Sequence, residues 1–438
     1  MIIRKSELKL FALLLISIFP VITLGGFAMP VLYLFIPFTL FGFSGIIFGR
    51  IKMPHVVNVL ILIFSLIIVE VFLSTLFGAL YISRVLIPTD AIQYLARLMC
   101  IISFMLMLYR SELRAESFIK MFLVVLVLAM SVGILQWLPW KGQAFFINLY
   151  PFRDGIEQLA QMDRELSTLR VHGVAQMATA NGGIATFAFI FAFSVFSYFK
   201  KYKLLSVILL VFALVNIVAS QARAGVLALA FSLLVFFFIK MYTSRRFFKP
   251  TLYFLMLMSV VCMVGYGLYN SGNPYITQIV YRFTILLDTN GGSRIDQISY
   301  GLSLLSEPYQ YFWGISRAVQ SSSDLYFHLE VEPVNIIVLY GIFGFILQYL
   351  LVFYLLRYFF KNIRKSINNP EIATLLIASF VGLASYQVFS LGYFFFREAR
   401  IGLIPWILMG VTIGLLERQK RAKLKHHLAL HNIKRHAI

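Results

Sequence analysis

Charge is scarce in this sequence, and negative charge is scarcer still. Charged residues fill 13% of 438 positions, against about 25% in soluble domains, which excludes an ordinary water-soluble fold. Only 18 acidic residues face 38 basic ones, for a formal charge of +20. The basic residues punctuate apolar runs instead of gathering on one soluble face, which argues against a nucleic-acid partner and for the positive-inside pattern of membrane proteins. Cysteine is nearly absent. Cys100 and Cys262 both fall within apolar runs, where a thiol packs as a small hydrophobe, so no disulfide framework is expected. The first apolar run, from about Leu10, has no small-residue cleavage site after it and is expected to be a transmembrane helix, not a signal. There is no P-loop, no G-x-G-x-x-G, no Cys/His zinc spacing and no D-x-D. No internal repeat is evident, which weakens a transporter built from inverted repeats.

What remains is 60% apolar. A spanning helix needs ~20 mostly apolar residues, and twelve such runs are expected. They lie near 10–28, 30–49, 56–80, 86–109, 118–138, 178–199, 204–220, 222–239, 251–268, 333–356, 372–391 and 400–416. The fold class is therefore all-α, a single polytopic membrane domain. If the N-terminus lies inside, alternate connections collect 26 of the 38 basic residues and five acids (Glu7, Glu112, Glu116, Glu371, Glu417), a charge of +21. The other side is nearly neutral, so both termini are expected in the cytoplasm. The basic tail 417–438, with four histidines, reads as a segment touching anionic membrane lipids.

Two outer loops are long, 139–177 and 269–332. In the first, Asp154-Gly-Ile-Glu157 reads as a capping box. Ile156, Leu159, Met162, Leu166 and Leu169 follow at helical spacing, which predicts an amphipathic helix on the membrane surface. That loop ends Arg170-Val-His172-Gly173. In the second, Ser293-Arg-Ile-Asp296 predicts a helix start, with Ile295, Ile298, Leu302 and Leu305 as its buried face. Its long polar course makes 269–332 the expected seat of function.

Three charges lie at membrane depth. Arg223, in Ser220-Gln-Ala-Arg223-Ala-Gly225, sits between two runs with almost no gap. Its planar fork suits a phosphate or pyrophosphate, although an arginine there can also snorkel to headgroups. Glu70 and Arg97 fall ~15 and ~13 Å below the outer ends of consecutive antiparallel runs, at 1.5 Å per residue. A structural ion pair is expected, the alternative being that Arg97 lines a cavity for a lipid diphosphate. Arg397 and Arg400, after an aromatic run Tyr393–Phe396 that reads as an interfacial belt, offer a weaker diphosphate contact.

An apolar span ending Ser-x-x-Arg-x-Gly, a second span, a basic cluster, a third span and a long outer loop together resemble the O-antigen polymerase and O-antigen ligase superfamily. So does Glu330-Val-Glu332-Pro-Val-Asn335, which leads into an apolar helix with Gly341-x-x-Gly344. The resemblance covers about 165–360. It implies glycosyl transfer at the outer face of a bacterial inner membrane, with sugars carried on undecaprenyl diphosphate. It also implies arginines in both long loops that hold the anionic substrates, here Arg170, beside His172, and Arg282 or Arg294. A chain-length regulator is a possible partner.

The spacing to the following glycine departs from the polymerase pattern of eleven residues. It is twelve from Arg170 to Gly182 and ten from Arg282 to Gly292. His328 stands where ligases carry a histidine. A diphosphate leaves as a stable anion, so positive charge, without metal or cofactor, is expected to do the main work. Glu332, Glu330 or His328 is the expected base for the attacking hydroxyl, the plainer reading being that the two glutamates cap the next span. The resulting expectation is a polymerase of lipid-linked repeat units. A ligase to lipid A core is the near alternative, and a transporter of lipid-linked sugars the distant one.

Overall fold

The computed structural model describes residues 5–24, 27–35, 53–83, 87–110, 113–151, 170–199, 201–244, 248–289, 294–320, 329–394, 398 and 401–436. The chain is helical almost throughout. Helix α1 (Lys5–Ile16) is followed by a hairpin of β1 (Ile22–Leu24) and β2 (Phe27–Met29). After it come α2 (His55–Ile82), α3 (Thr89–Arg110), α4 (Ala115–Trp137), α5 (Gln143–Leu149) and α6 (Ala178–Ser194), which runs on through a π-helical turn to Phe199. Then follow α7 (Lys203–Ser220), α8 (Arg223–Ser244), α9 (Phe248–Asn270), α10 (Pro274–Asp288), α11 (Arg294–Ser303), α12 (Pro308–Trp313), α13 (Arg317–Gln320), α14 (Glu332–Ser366), α15 (Pro370–Phe389) and α16 (Leu403–His436).

Among the described residues, eight helices are long and apolar enough to cross a membrane: α2, α3, α4, α6 with its π turn, α7, α8, α14 and α15. The polytopic helical class therefore stands, with these eight of the expected twelve spans present among the described residues. The expected first span, 10–28, is corrected. Its helix ends at Ile16, and Ile22–Leu24 then pairs antiparallel with Phe27–Met29. Twelve helical residues rise only ~18 Å, too short for the ~30 Å hydrocarbon core. Most of the expected second span, and the amphipathic helix expected after Asp154, lie outside the described residues.

Helices α6 and α15 are the most enclosed of the spans. They touch each other, α6 also packs on α7 and α8, and α15 on α8, α14 and α16. Peripheral helices, such as α2 with Leu62, Val69, Leu76 and Leu80, turn large apolar side chains outward, as a lipid-facing helix does.

The second long loop is not irregular. It folds into α10–α13, with Asn273 capping α10 by accepting the amides of Tyr275 and Ile276. Helix α11 starts where Ser293–Asp296 indicated, but its inward face differs in part. Leu305 is buried as expected, with Ile298 packed beside it, but Ile295 and Leu302 are exposed and Gly301 takes the inward position against α14.

A break in α14 anchors this loop. Gly341 is non-helical, with φ 63° and ψ −169°. The chain at Phe312–Ser316 crosses the break so closely that a Cβ on Gly341 would overlap the Phe312 carbonyl, and one on Gly314 the Leu339 carbonyl. The carbonyls freed by the break are used. Ile315 N donates to Val338 O and Ser316 N to Leu339 O, each at 2.9 Å, and Ser74 Oγ donates to Leu339 O at 2.6 Å. Non-helical backbone is thus satisfied by protein, the condition for tolerating it near a bilayer.

Candidate active site

The site is built on the α7–α8 turn. Gln221 takes the left-handed conformation (φ 51°) and ends α7, so that α8 begins at Arg223. Gly182 and Gly225 let α6 and this turn touch backbone to backbone: a Cβ on Gly182 would overlap Ala222, and one on Gly225 would stand 3.0 Å from Gly182 O. The segment before α6 lies along the same turn. Val171 N donates to Ala219 O at 3.1 Å, and buried Asn181 donates to Val171 O and Asn216 Oδ1, both at 3.1 Å. These bonds place Arg170 beside Arg223. The two sequence signals, Thr179–Gly183 and Ser220–Gly225, are two halves of one packing unit.

Four arginines meet there. Arg170 donates through Nε to Ser220 O at 3.3 Å and reaches Thr179 Oγ1 through Nη2 at 3.5 Å. Arg223 donates through Nη1 to the Arg282 carbonyl at 2.7 Å. Arg294, the first residue of α11, forms an ion pair with Glu330 at 3.0 Å. Arg170 and Arg223 feel each other, Arg282 repels both, Arg294 also repels Arg223, and Glu330 attracts both. Burial, helped by Arg282 and Arg223, pushes the Arg170 guanidinium down to about 9. It is still charged at neutral pH, in a position that costs stability. Maintaining that many cations around one glutamate is the signature of a site that expects an anion.

Glu330 and Glu332 part company. The chain approaches α14 in extended form, so alternate side chains face opposite ways. Glu330 turns to Arg294, with its amide held by Gln297 Oε1 at 3.2 Å. Glu332 is buried, accepts the hydroxyl of Tyr386, and lines a cavity of about 60 Å³ together with Arg97, Tyr94, Gln348 and Trp406. The four loop and turn arginines and Glu330 are thus brought together, while Glu332 and Arg97 share a neighbouring cavity. His172 is buried elsewhere, with Nε2 at 2.6 Å from the Tyr150 carbonyl and Gln136 against the same ring. His328, Arg397 and Arg400 lie outside the described residues.

The expected Glu70–Arg97 ion pair is overturned. Both Glu70 carboxylate oxygens are buried without a hydrogen-bond partner. Glu70 faces α14, where a Cβ on Gly344 would stand 2.9 Å from its Oε2. Arg97 instead donates to Gln93 Oε1 at 3.3 Å and lies over the Tyr94 ring at 4.8 Å. The depths agreed, but the two side chains leave their helices in different directions.

Sequence reasoning missed several groups. Asp90 pairs with Arg317 at 3.2 Å and accepts the Tyr340 hydroxyl, tying α13 to α3 and α14. Tyr386 on α15 and Glu398, which accepts the Gln176 amide, carried no signal beyond being polar residues in apolar surroundings. Tyr393, expected in an interfacial belt, is buried and donates to Met177 Sδ at 3.0 Å. Among the described residues, no three His, Cys, Asp or Glu side chains come together as a metal-ligand set.

Residues 208–349 match the family model described as O-antigen ligase. This stretch starts within α7 and ends within α14, so it contains Arg223, Arg282, Arg294 and Glu330. The resemblance to the O-antigen polymerase and ligase superfamily is thereby shown over that stretch. No curated protein matches the chain.

Proposed function

We propose that the protein is a membrane glycosyltransferase that joins oligosaccharide repeat units carried on undecaprenyl diphosphate, at the periplasmic face of a bacterial inner membrane. The observation that carries this reading is the meeting of Arg170, Arg223, Arg282 and Arg294 around Glu330. A glycosyl diphosphate needs just such a field, because negative charge builds on the diphosphate as its bond to the sugar carbon breaks.

In the reaction proposed, the anomeric C–O bond to the diphosphate breaks and its electrons stay with the lipid diphosphate. A hydroxyl oxygen of the incoming unit forms the new bond to that carbon and loses its proton. Glu330 is the acceptor nearest the arginines, and its ion pair with Arg294 makes it a weak base. A weak base suffices when the transition state resembles an oxocarbenium ion and the hydroxyl proton leaves late. Positive charge from four guanidiniums makes a metal unnecessary for leaving-group stabilisation.

A second reading, transfer of a finished chain to lipid A core, is equally compatible with the matched family. A deletion strain separates the two. Lipopolysaccharide that still carries a single repeat supports polymerase; lipopolysaccharide with no attached repeat supports ligase. An unaltered ladder refutes both.

A further inference from the structure

At the other end of α14 lies a second cationic site. Arg357, Lys361 and Lys365 recur every fourth residue, so they share one face of the helix and span ~12 Å along it. Tyr354 and Tyr358 lie on the same face. Lys420 of α16 closes the opposite wall, and buried Asn362 forms the floor, its Nδ2 donating to Tyr358 O at 2.7 Å. These residues enclose a cavity of about 320 Å³, within the range of ligand-sized clefts.

The charges in it are unequal. Glu417 at its edge is already matched: Lys420 Nζ lies 2.7 Å from Oε1, and Tyr358 donates its hydroxyl to the same oxygen at 2.7 Å. Lys420 also lies over the Tyr358 ring at 4.9 Å. Arg357, Lys361 and Lys365 have no carboxylate partner among the described residues. Lys201, by contrast, pairs with Glu116 at 3.1 Å. Three unmatched cations therefore face one concave space bounded by two tyrosine rings. Repulsion between them is offset when an anion with several acceptor oxygens sits in their midst. A basic pocket at the end of a spanning helix, lined by two tyrosines, has the chemistry of a phosphate-headgroup site.

We propose that this pocket binds a phosphate-bearing anion, presented either by the headgroup of an anionic phospholipid or by a soluble phosphate compound. The site is distinct from the arginine cluster and does not depend on the reaction assigned to it. Helix α14, with its break at Gly341, runs between the two, with Glu332 at its first residue and the pocket along its last third.

The test uses the full chain in nanodiscs of phosphatidylcholine. In one arm, phosphatidylglycerol is titrated in and retained lipid is counted by native mass spectrometry. In the other, inorganic pyrophosphate is titrated calorimetrically in the neutral discs. Binding in the lipid arm assigns a headgroup, and binding in the pyrophosphate arm assigns a soluble ligand. The variant R357Q/K361Q/K365Q is expected to weaken whichever binding occurs by roughly a hundredfold. If the triple variant fails to fold, the exposed pair K361Q/K365Q carries the same comparison with a smaller loss. The control K201Q/K203Q/K240Q removes equal charge from other positions and is expected to bind nearly as the parent does. The proposal is overturned if neither probe binds the parent, or if the control loses as much affinity as the pocket variant.

Discussion

Arg223 is the residue on which the proposed chemistry turns, and its substitution has a worked expectation. In Arg223→Ala the side chain loses one hydrogen bond, to the Arg282 carbonyl at 2.7 Å. A bond from a charged donor contributes ~1.5–3 kcal/mol, toward the lower figure here because Arg223 is only half-buried. The same change removes repulsion with Arg282 and Arg294. It also removes the attraction of Glu330, so the net relief is that of one like-charge pair, about 2 kcal/mol for charges taken roughly 8 Å apart at an effective dielectric near 20. The two effects oppose each other and are similar in size, so folded stability should barely move. Activity should fall much further. Loss of one preorganised donor at a developing anion costs ~10²–10³ in rate. Arg223→Lys keeps the charge but not the fork, and should recover only part of the loss.

The assay is chain extension from lipid-diphosphate-linked units by purified protein, with melting temperature measured on the same samples. A fall in rate at unchanged melting temperature is expected. Near-parental activity in Arg223→Ala, or a rate loss that simply tracks loss of folded protein, would refute a role at the diphosphate.

Further outcomes follow from other parts of the molecule. In a mutant cycle of Glu70→Gln, Arg97→Gln and the double mutant, thermal stabilities should add, because the two side chains do not meet; a large coupling energy would restore the ion pair. Glu70→Leu should match or exceed parental membrane level, since it removes a buried carboxylate that has no hydrogen-bond partner and costs stability for that reason. Gly341→Ala should lower the level of folded protein, by ~1–3 kcal/mol for the left-handed backbone alone and more for the overlap with Phe312; a normal level would show that the crossing is loose. Chain extension should continue in excess chelator, and strict dependence on added magnesium or manganese would reveal a carboxylate metal site. Reporter fusions at Asn273 and after Leu416 should give opposite signals, and matching signals would overturn the assigned sidedness.

The helical membrane class was legible in the sequence, and so were the arginines on which the proposed site rests. Arg223 stood out because an arginine bordering an apolar run is costly, whereas Arg170 and Arg282 or Arg294 were marked only by the resemblance to the superfamily. Their convergence rests on Gly182, Gly225 and Asn181, whose small size or amide also marks the sequence. Depth was legible for Glu70 and Arg97 but direction was not. Residue counts give the height of a side chain on a helix, whereas its azimuth depends on which neighbour leaves room, and Gly344 of α14 left room for Glu70. The first span misled because Ile22–Leu24 and Phe27–Met29 are as apolar as a helix. Hydropathy does not register Gly25-Gly26, the two-residue hairpin signal between them. The division of Glu330 from Glu332 follows from strand alternation, but only once the approach to α14 is known to be extended.

The crossing at Gly341 fixes one edge of the loop helices. Phe312–Ser316 is stitched to α14 by two backbone bonds, Ser316 approaches Thr75 of α2 at 3.3 Å, and Arg317 holds Asp90 of α3. Lifting α12 and α13 as a flap would break all of these together and expose the carbonyls of Val338 and Leu339. Helices α10 and α11 are tied in by other bonds: Arg223 donates to the Arg282 carbonyl, Arg294 pairs with Glu330, and Gln297 Oε1 accepts the Glu330 amide. On the proposed function, a lipid-borne sugar would enter on the α10–α11 side, where part of the tie to the bundle is made of groups that the diphosphate itself would engage. Arrival of that anion would then compete for the bonds that hold the entrance closed.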